Sequence, residues 1–204
     1  METTTAQIST EWKLPSPRKV GMITLILTES TLFSIFVVAY VFYIGKSLNG
    51  PFPKDVLEIP WLASICLFGS SATIVMAEKA LHRKNRAAFH GFWLATIALG
   101  AIFIIYTGIE WYHLIFHDNL TVSTNLFGST FYALVGLHAS HVIVGLILLS
   151  CVAISSLRGK LHEDHTEHVE MISWYWHFVD AIWIVVLLVV YILSVHAPLP
   201  PGVS

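Results

Sequence analysis

Five apolar runs, each long enough to cross a lipid bilayer, leave this chain almost no freedom of fold. About 20 helical residues span the hydrocarbon, and runs of that order open near Val20, Trp61, Ala88, Leu126 and Met171. Lipid offers no partner to a bare peptide group, so each run must satisfy its backbone internally as a helix. The expectation is an all-α integral membrane protein: a single membrane domain over residues 1–204, a five-helix bundle with spans at about 20–44, 61–78, 88–111, 126–157 and 171–195. Composition agrees, with 12% of residues charged against about 25% in an ordinary soluble domain. No soluble catalytic domain fits between the spans.

The segments between the runs read as loops. Gly45 to Pro53 is rich in Gly and Pro, which punctuate a chain. Pro60 suits the first turn of a helix, and a basic loop containing Lys79, Arg83, Lys84 and Arg86 closes the second span. The fourth span has 32 residues, about 48 Å if wholly helical, so it must tilt or protrude. The start is polar with Pro15 and Pro17 and lacks the pattern of a secretory signal, so the first membrane helix is expected to be retained. Cys66 and Cys151 each lie in an apolar run without a CxxC or CxxCH partner and read as packing residues.

The net charge of −2 is too small to attract nucleic acid, and the distribution of cations says more than their sum. Lys13, Arg18, Lys19, Lys79, Arg83, Lys84, Arg86, Arg158 and Lys160 fall on one side, and only Lys46 and Lys54 on the other. By the positive-inside rule the N-terminus is cytoplasmic and the C-terminus outside. No internal repeat is visible, which disfavours an inverted-repeat transporter.

Polar residues inside the runs carry the functional signal. A charge at the centre of a bilayer costs about 2.5 to 3.5 kcal/mol on insertion scales and marks function or a buried partner. Glu29 stands nine residues into the first span, about 14 Å deep; it is a neutral donor, a proton acceptor, or a structural tie to another helix. His138 and His141, and likewise His177 and Asp180, are three apart and share a helix face. Gly136 and Gly145 beside the histidines let a helix or a lipid approach closely. Two readings of the histidines stand: haem ligation, which would need a second helix to supply a ligand such as His177, or hydrogen bonding to Glu29 and Asp180. Glu110, beside Trp111, reads as an interfacial acid with its head in water. His162, His165 and His168 in the loop before the fifth span have a spacing compatible with a metal, although a solvated loop explains them as well.

The segment Trp174-Tyr175-Trp176-His177-Phe178-Val179-Asp180-Ala181-Ile182-Trp183, with Glu170 four residues ahead, is similar to the WYWHFVD-x-x-W signature of subunit III of the haem-copper terminal oxidases of the cytochrome c oxidase type. Gly128-Ser129-Thr130-Phe131 and Gly136-Leu137-His138-Ala139-Ser140-His141-Val142-Ile143-Val144-Gly145 resemble that family's GSTFF and G-x-H-x-x-H-V-x-x-G. Gly21-Met22 followed by Thr28-Glu29-Ser30 and Phe33 resembles the region of its carbodiimide-reactive acid, and Gly108-x-Glu110-Trp111 more loosely resembles Q-x-x-E-Y. Thr28 replaces the usual serine, and Thr166-Glu167-His168-Val169 stands where members often read His-Gly-Phe.

The resemblance covers about Gly21 to Tyr191 and implies the short, five-helix bacterial form, in the plasma (inner) membrane; longer members carry two further N-terminal helices. It implies an accessory role with no catalytic residue and no metal or cofactor of its own. Haem and copper are then expected in partner subunits I and II, with phospholipid bound by this chain. The partners it implies are subunit I chiefly, subunit II, a small subunit IV, membrane lipids and a respiratory supercomplex. Glu29, His138, His141, His177 and Asp180 would line an internal polar network supporting proton entry or lipid, with Glu110 and Glu170 nearer its two ends. The complex would pass electrons from cytochrome c to oxygen and pump protons. Subunit III of a quinol oxidase is the nearest rival; a stand-alone proton-coupled transporter or membrane haem protein is the rival of another class.

Overall fold

The computed structural model describes residues 16–158 and 166–198. Five long helices are connected in chain order: α1 (Pro17–Tyr43), α3 (Trp61–His82), α4 (Arg86–Phe116), α5 (Leu126–Leu157) and α6 (Thr166–Val186). A single helical turn, α2 (Pro53–Val56), lies in the loop after α1. All five long helices are apolar and long enough to cross a membrane.

Caps set where the helices start. Ser16 accepts from the Lys19 N–H with Pro17 in the first turn, Asn85 accepts from Ala88 N–H and Asn125 from Gly128 N–H, each satisfying a donor that the helix itself cannot pair. The apolar runs set the spans but not the helix ends. α4 begins two residues before the expected position and continues five beyond Trp111, and α6 begins at Thr166 rather than 171. Backbone bonding continues into the headgroup level, where polarity no longer matters to the helix. The turn of α2, which begins at Pro53, falls at the end of the segment that composition marks as loop.

α6 is the centre of the bundle, packing on α1, α3 and α5. Its Trp176 and Trp183 are fully buried. The Trp176 ring enters a slot between α4 and α5: a Cβ added at Gly100 would lie 2.7 Å from Trp176 Cη2, and one added at Gly145 would lie 2.8 Å from Cζ3. The close approach that Gly145 permits is therefore taken by an indole of the chain itself. The indole N–H groups of Trp176 and Trp183 donate to Ser70 Oγ (2.9 Å) and Ser64 Oγ (3.0 Å) of α3, so both large side chains are polar-satisfied as well as packed.

After Val186 the last helix continues as a π-helical segment, Leu187–Leu193. The wider turn buries Val189, Val190 and Tyr191 consecutively, and Ser194 beyond it accepts from the Tyr40 hydroxyl of α1 at 3.0 Å. α1 is peripheral: of its residues only Phe33 and Tyr40 are buried, while Leu27, Ile35, Val38 and Phe42 face outward. Cys151, expected to pack, also faces outward from α5, and Cys66 is half-buried; both are free thiols.

Candidate functional site

Counting from the helix starts, Glu29 lies about 18 Å along α1 and Asp180 about 21 Å along α6 at 1.5 Å per residue, so both sit at mid-membrane depth. The structure arranges the expected polar residues as separate pairs. His141 Nε2 lies 3.1 Å from Glu29 Oε2, joining α5 to α1. The His141 Nδ1 is 2.8 Å from the Leu137 carbonyl, which can only accept, so Nδ1 carries a proton. The Nε2 then either accepts from a protonated Glu29 or, protonated itself, donates to its carboxylate. One exchangeable proton lies between acid and imidazole in both arrangements. The Tyr175 hydroxyl donates to the His141 carbonyl (3.2 Å) and the Phe33 ring packs edge-on against the imidazole (4.9 Å).

The second cluster ties α6 to α3. Ser71 Oγ bonds the Asp180 carboxyl and lies 3.1 Å from His177 Nδ1. A serine has one hydroxyl proton, so the direction of donation is coupled: Ser71 donates to a carboxylate while His177 N–H donates to Ser71, or a protonated Asp180 donates to Ser71, which donates on to His177. Asp180 is 5% exposed and its Oδ1 has no hydrogen-bond partner.

His138 joins neither pair. Its ring is fully buried, stacked on Trp183 (centroids 5.1 Å, interplanar 25°) with Phe103 edge-on, and neither ring nitrogen has a partner. These histidines are not arranged to hold a haem between them, because His138 is packed among Trp183, Phe103 and Phe33 and His141 Nε2 is engaged by Glu29. Of the loop histidines, His162 and His165 lie outside the described residues, and His168 is in the first turns of α6. Among the described residues no group of three or more His, Cys, Asp or Glu converges as a metal site.

Glu110, expected as an acid with its head in water, stands half-buried near the far end of α4 and lines an open groove with His113 and Asp118. α4 runs on to Phe116, which places Glu110 within the helix, and the Tyr191 hydroxyl lies 3.0 and 3.1 Å from its two oxygens. The π-helical segment is what turns Tyr191 inward to meet it. Glu170 is at the opposite end, paired with Lys19 Nζ at 2.9 Å, while Arg18 pairs with Glu167 at 3.4 Å. The Lys19 ammonium also lies 5.5 Å over the Trp174 ring, which fixes the starts of α1 and α6 side by side. Sequence reasoning missed Ser64, Ser70, Ser71 and Tyr191. The signal for the serines was present as hydroxyls in the charge-free first part of α3: Ser64, Ser70 and Ser71 each meet an α6 side chain, while the fourth hydroxyl there, Thr73, meets Thr96 of α4.

Residues 10–195 match the family model described as cytochrome c oxidase subunit III. The chain belongs to that family. It is 34% identical over 186 residues to cytochrome c oxidase subunit 3 of Synechocystis, covering 88% of this chain and 77% of the relative. It is 34% identical to cytochrome c oxidase subunit 3 of Rhipicephalus sanguineus (86% and 70% covered) and 31% identical to the probable subunit 3 of Rickettsia prowazekii (86% and 68% covered). Family and fold together make it a multi-pass membrane protein of the haem-copper oxidase system. In this family member the signature segment 174–183 supplies the central packing of the bundle through Trp176 and Trp183 and the polar tie to α3 through His177 and Asp180.

Proposed function

We propose that the chain is the non-redox accessory subunit of a proton-pumping respiratory oxidase that transfers electrons from cytochrome c to oxygen, in a bacterial inner membrane with the N-terminus cytoplasmic. The observation that carries the reading is family membership over residues 10–195, combined with buried histidines engaged in packing or hydrogen bonds rather than arranged for a cofactor. Haem and copper belong to subunits I and II. This chain docks on subunit I, beside subunit II and a small subunit IV, stabilises the proton-uptake region and holds phospholipid. The nine-to-two division of Lys and Arg supports the orientation. The outward apolar face of α1 suits a partner helix or lipid, and the Glu29–His141 pair lies where that face meets α5.

The polar pairs serve this role by position. Deleting either member of such a pair leaves the other unsatisfied in a low-dielectric interior, so the pairs hold α1 in register against α5 and α3 against α6. Within the Glu29–His141 pair the one shared proton can pass between acid and imidazole without moving a heavy atom. Affinity purification of the full tagged chain in mild detergent tests the proposal: haem-containing subunits should co-purify with cytochrome c oxidase activity. A chain that purifies alone, or that shows a reduced-haem spectrum of its own, overturns it.

A further inference from the structure

At the end of the membrane where α3 turns into α4, a groove of about 400 Å³ opens between the last turn of α3 and the first turns of α4, lined by Lys79, Arg83, Asn85, Met76 and Phe92 among others. Lys79 and Arg83 are four residues apart, so their cations project from one helix face, where like charges destabilise each other unless an anion lies between them. No carboxylate among the described residues pairs with either, in contrast to Lys19 and Arg18 at the same end, which are paired with Glu170 and Glu167. Asn85 accepts from the Ala88 N–H through its carbonyl oxygen, leaving its amide N–H groups to donate. Below the cations the groove is apolar and open to the bilayer, with Met76 47% and Phe92 36% exposed.

We infer that this groove binds the headgroup of an anionic phospholipid, its phosphate between Lys79 and Arg83 and an acyl chain along Met76 and Phe92. Basic pockets between transmembrane helices recognise such headgroups by charge. The apolar floor distinguishes a lipid from a free phosphate, which would gain nothing from Met76 or Phe92. The site is separate from the Glu29–His141 pair on α1 and α5, and its argument rests only on the membrane placement of the fold.

The test uses the full chain with whatever subunits it retains, delipidated in mild detergent and titrated with phosphatidylglycerol, phosphatidylcholine or inorganic phosphate, with bound lipid counted by native mass spectrometry. Each membrane-surface cation contributes about fivefold to the affinity for an anionic lipid, so Lys79→Gln with Arg83→Gln should weaken one phosphatidylglycerol site about 25-fold and leave phosphatidylcholine unchanged. Lys79→Arg with Arg83→Lys should restore it, and binding to the wild-type chain should weaken with salt. Four results would each overturn the inference: equal phosphatidylglycerol binding by the glutamine variant, salt-independent binding, full displacement by millimolar inorganic phosphate, or a cross-link from Lys79 to another polypeptide occupying the groove.

Discussion

Replacing Gly145 by Ala tests the packing at the centre of the bundle. The new Cβ would stand 2.8 Å from Trp176 Cε3 and Cζ3, a distance that an sp³ carbon does not tolerate, and 3.4 Å from Tyr175 Cε1, an ordinary contact. The indole cannot slide away, because its opposite edge meets Gly100 and its N–H is held by Ser70. Overpacking of this kind costs about 1 to 3 kcal/mol. Ala also gains about 0.5 to 1 kcal/mol over Gly in a helix, so Gly108→Ala on α4, where a Cβ meets nothing within 4 Å, supplies the control for that gain. The two variants should therefore differ by roughly 2 kcal/mol, on the order of 4 to 8 °C for a chain of this size. Thermal unfolding of the full chain in mild detergent, followed by near-UV circular dichroism, reads the difference. Adding Trp176→Phe to Gly145→Ala should recover part of the loss because the shorter ring withdraws from the slot. If Gly145→Ala melts with or above Gly108→Ala, the clamp on Trp176 is not what orders the helices.

Three further outcomes concern the polar ties. Asp180→Ala removes a partner of Ser71 in a buried place and should cost about 1 to 3 kcal/mol, whereas Asp180→Asn should be milder; equal melting temperatures for the two would contradict the Ser71 bridge. Glu29→Gln should leave the complex assembled on a native gel, because a neutral amide can still donate to His141 Nε2; loss of the subunit from the membrane would show that an ion pair is required. A double-mutant cycle on Lys19→Ala and Glu170→Ala should give a coupling below about 1 kcal/mol that shrinks as salt is added, since the two side chains are 31% and 38% exposed. A coupling that is insensitive to salt would place the pair in a drier setting than the structure does.

The spans were legible because bilayer thickness converts apolar length directly into helices, and the fourth run, 126–157, coincides with α5 to the residue. The pairing of Glu29 with His141 was foreseeable as chemistry, since each is costly alone in lipid. What could not be read was which polar residue meets which. Glu29 and His141 are 112 positions apart and Ser71 and Asp180 are 109 apart, and such distances are decided by how the helices rotate against each other. A single network through Glu29, His138, His141, His177 and Asp180 was the economical expectation. Rotation instead carries His138 into an aromatic cage and delivers Ser71, an unremarked hydroxyl in an apolar run, between Asp180 and His177. The Tyr191 partner of Glu110 was missed for a similar reason: the π-helical segment that carries Tyr191 has the same apolar composition as an α-helix.

The accessory role is tested most directly by comparing the oxidase from cells with and without this chain, measuring haem, copper and oxygen reduction per complex over many turnovers. The account predicts unchanged haem and copper and an initial ability to reduce oxygen that decays faster when the chain is missing. Loss of haem or copper in proportion to the missing chain would contradict it.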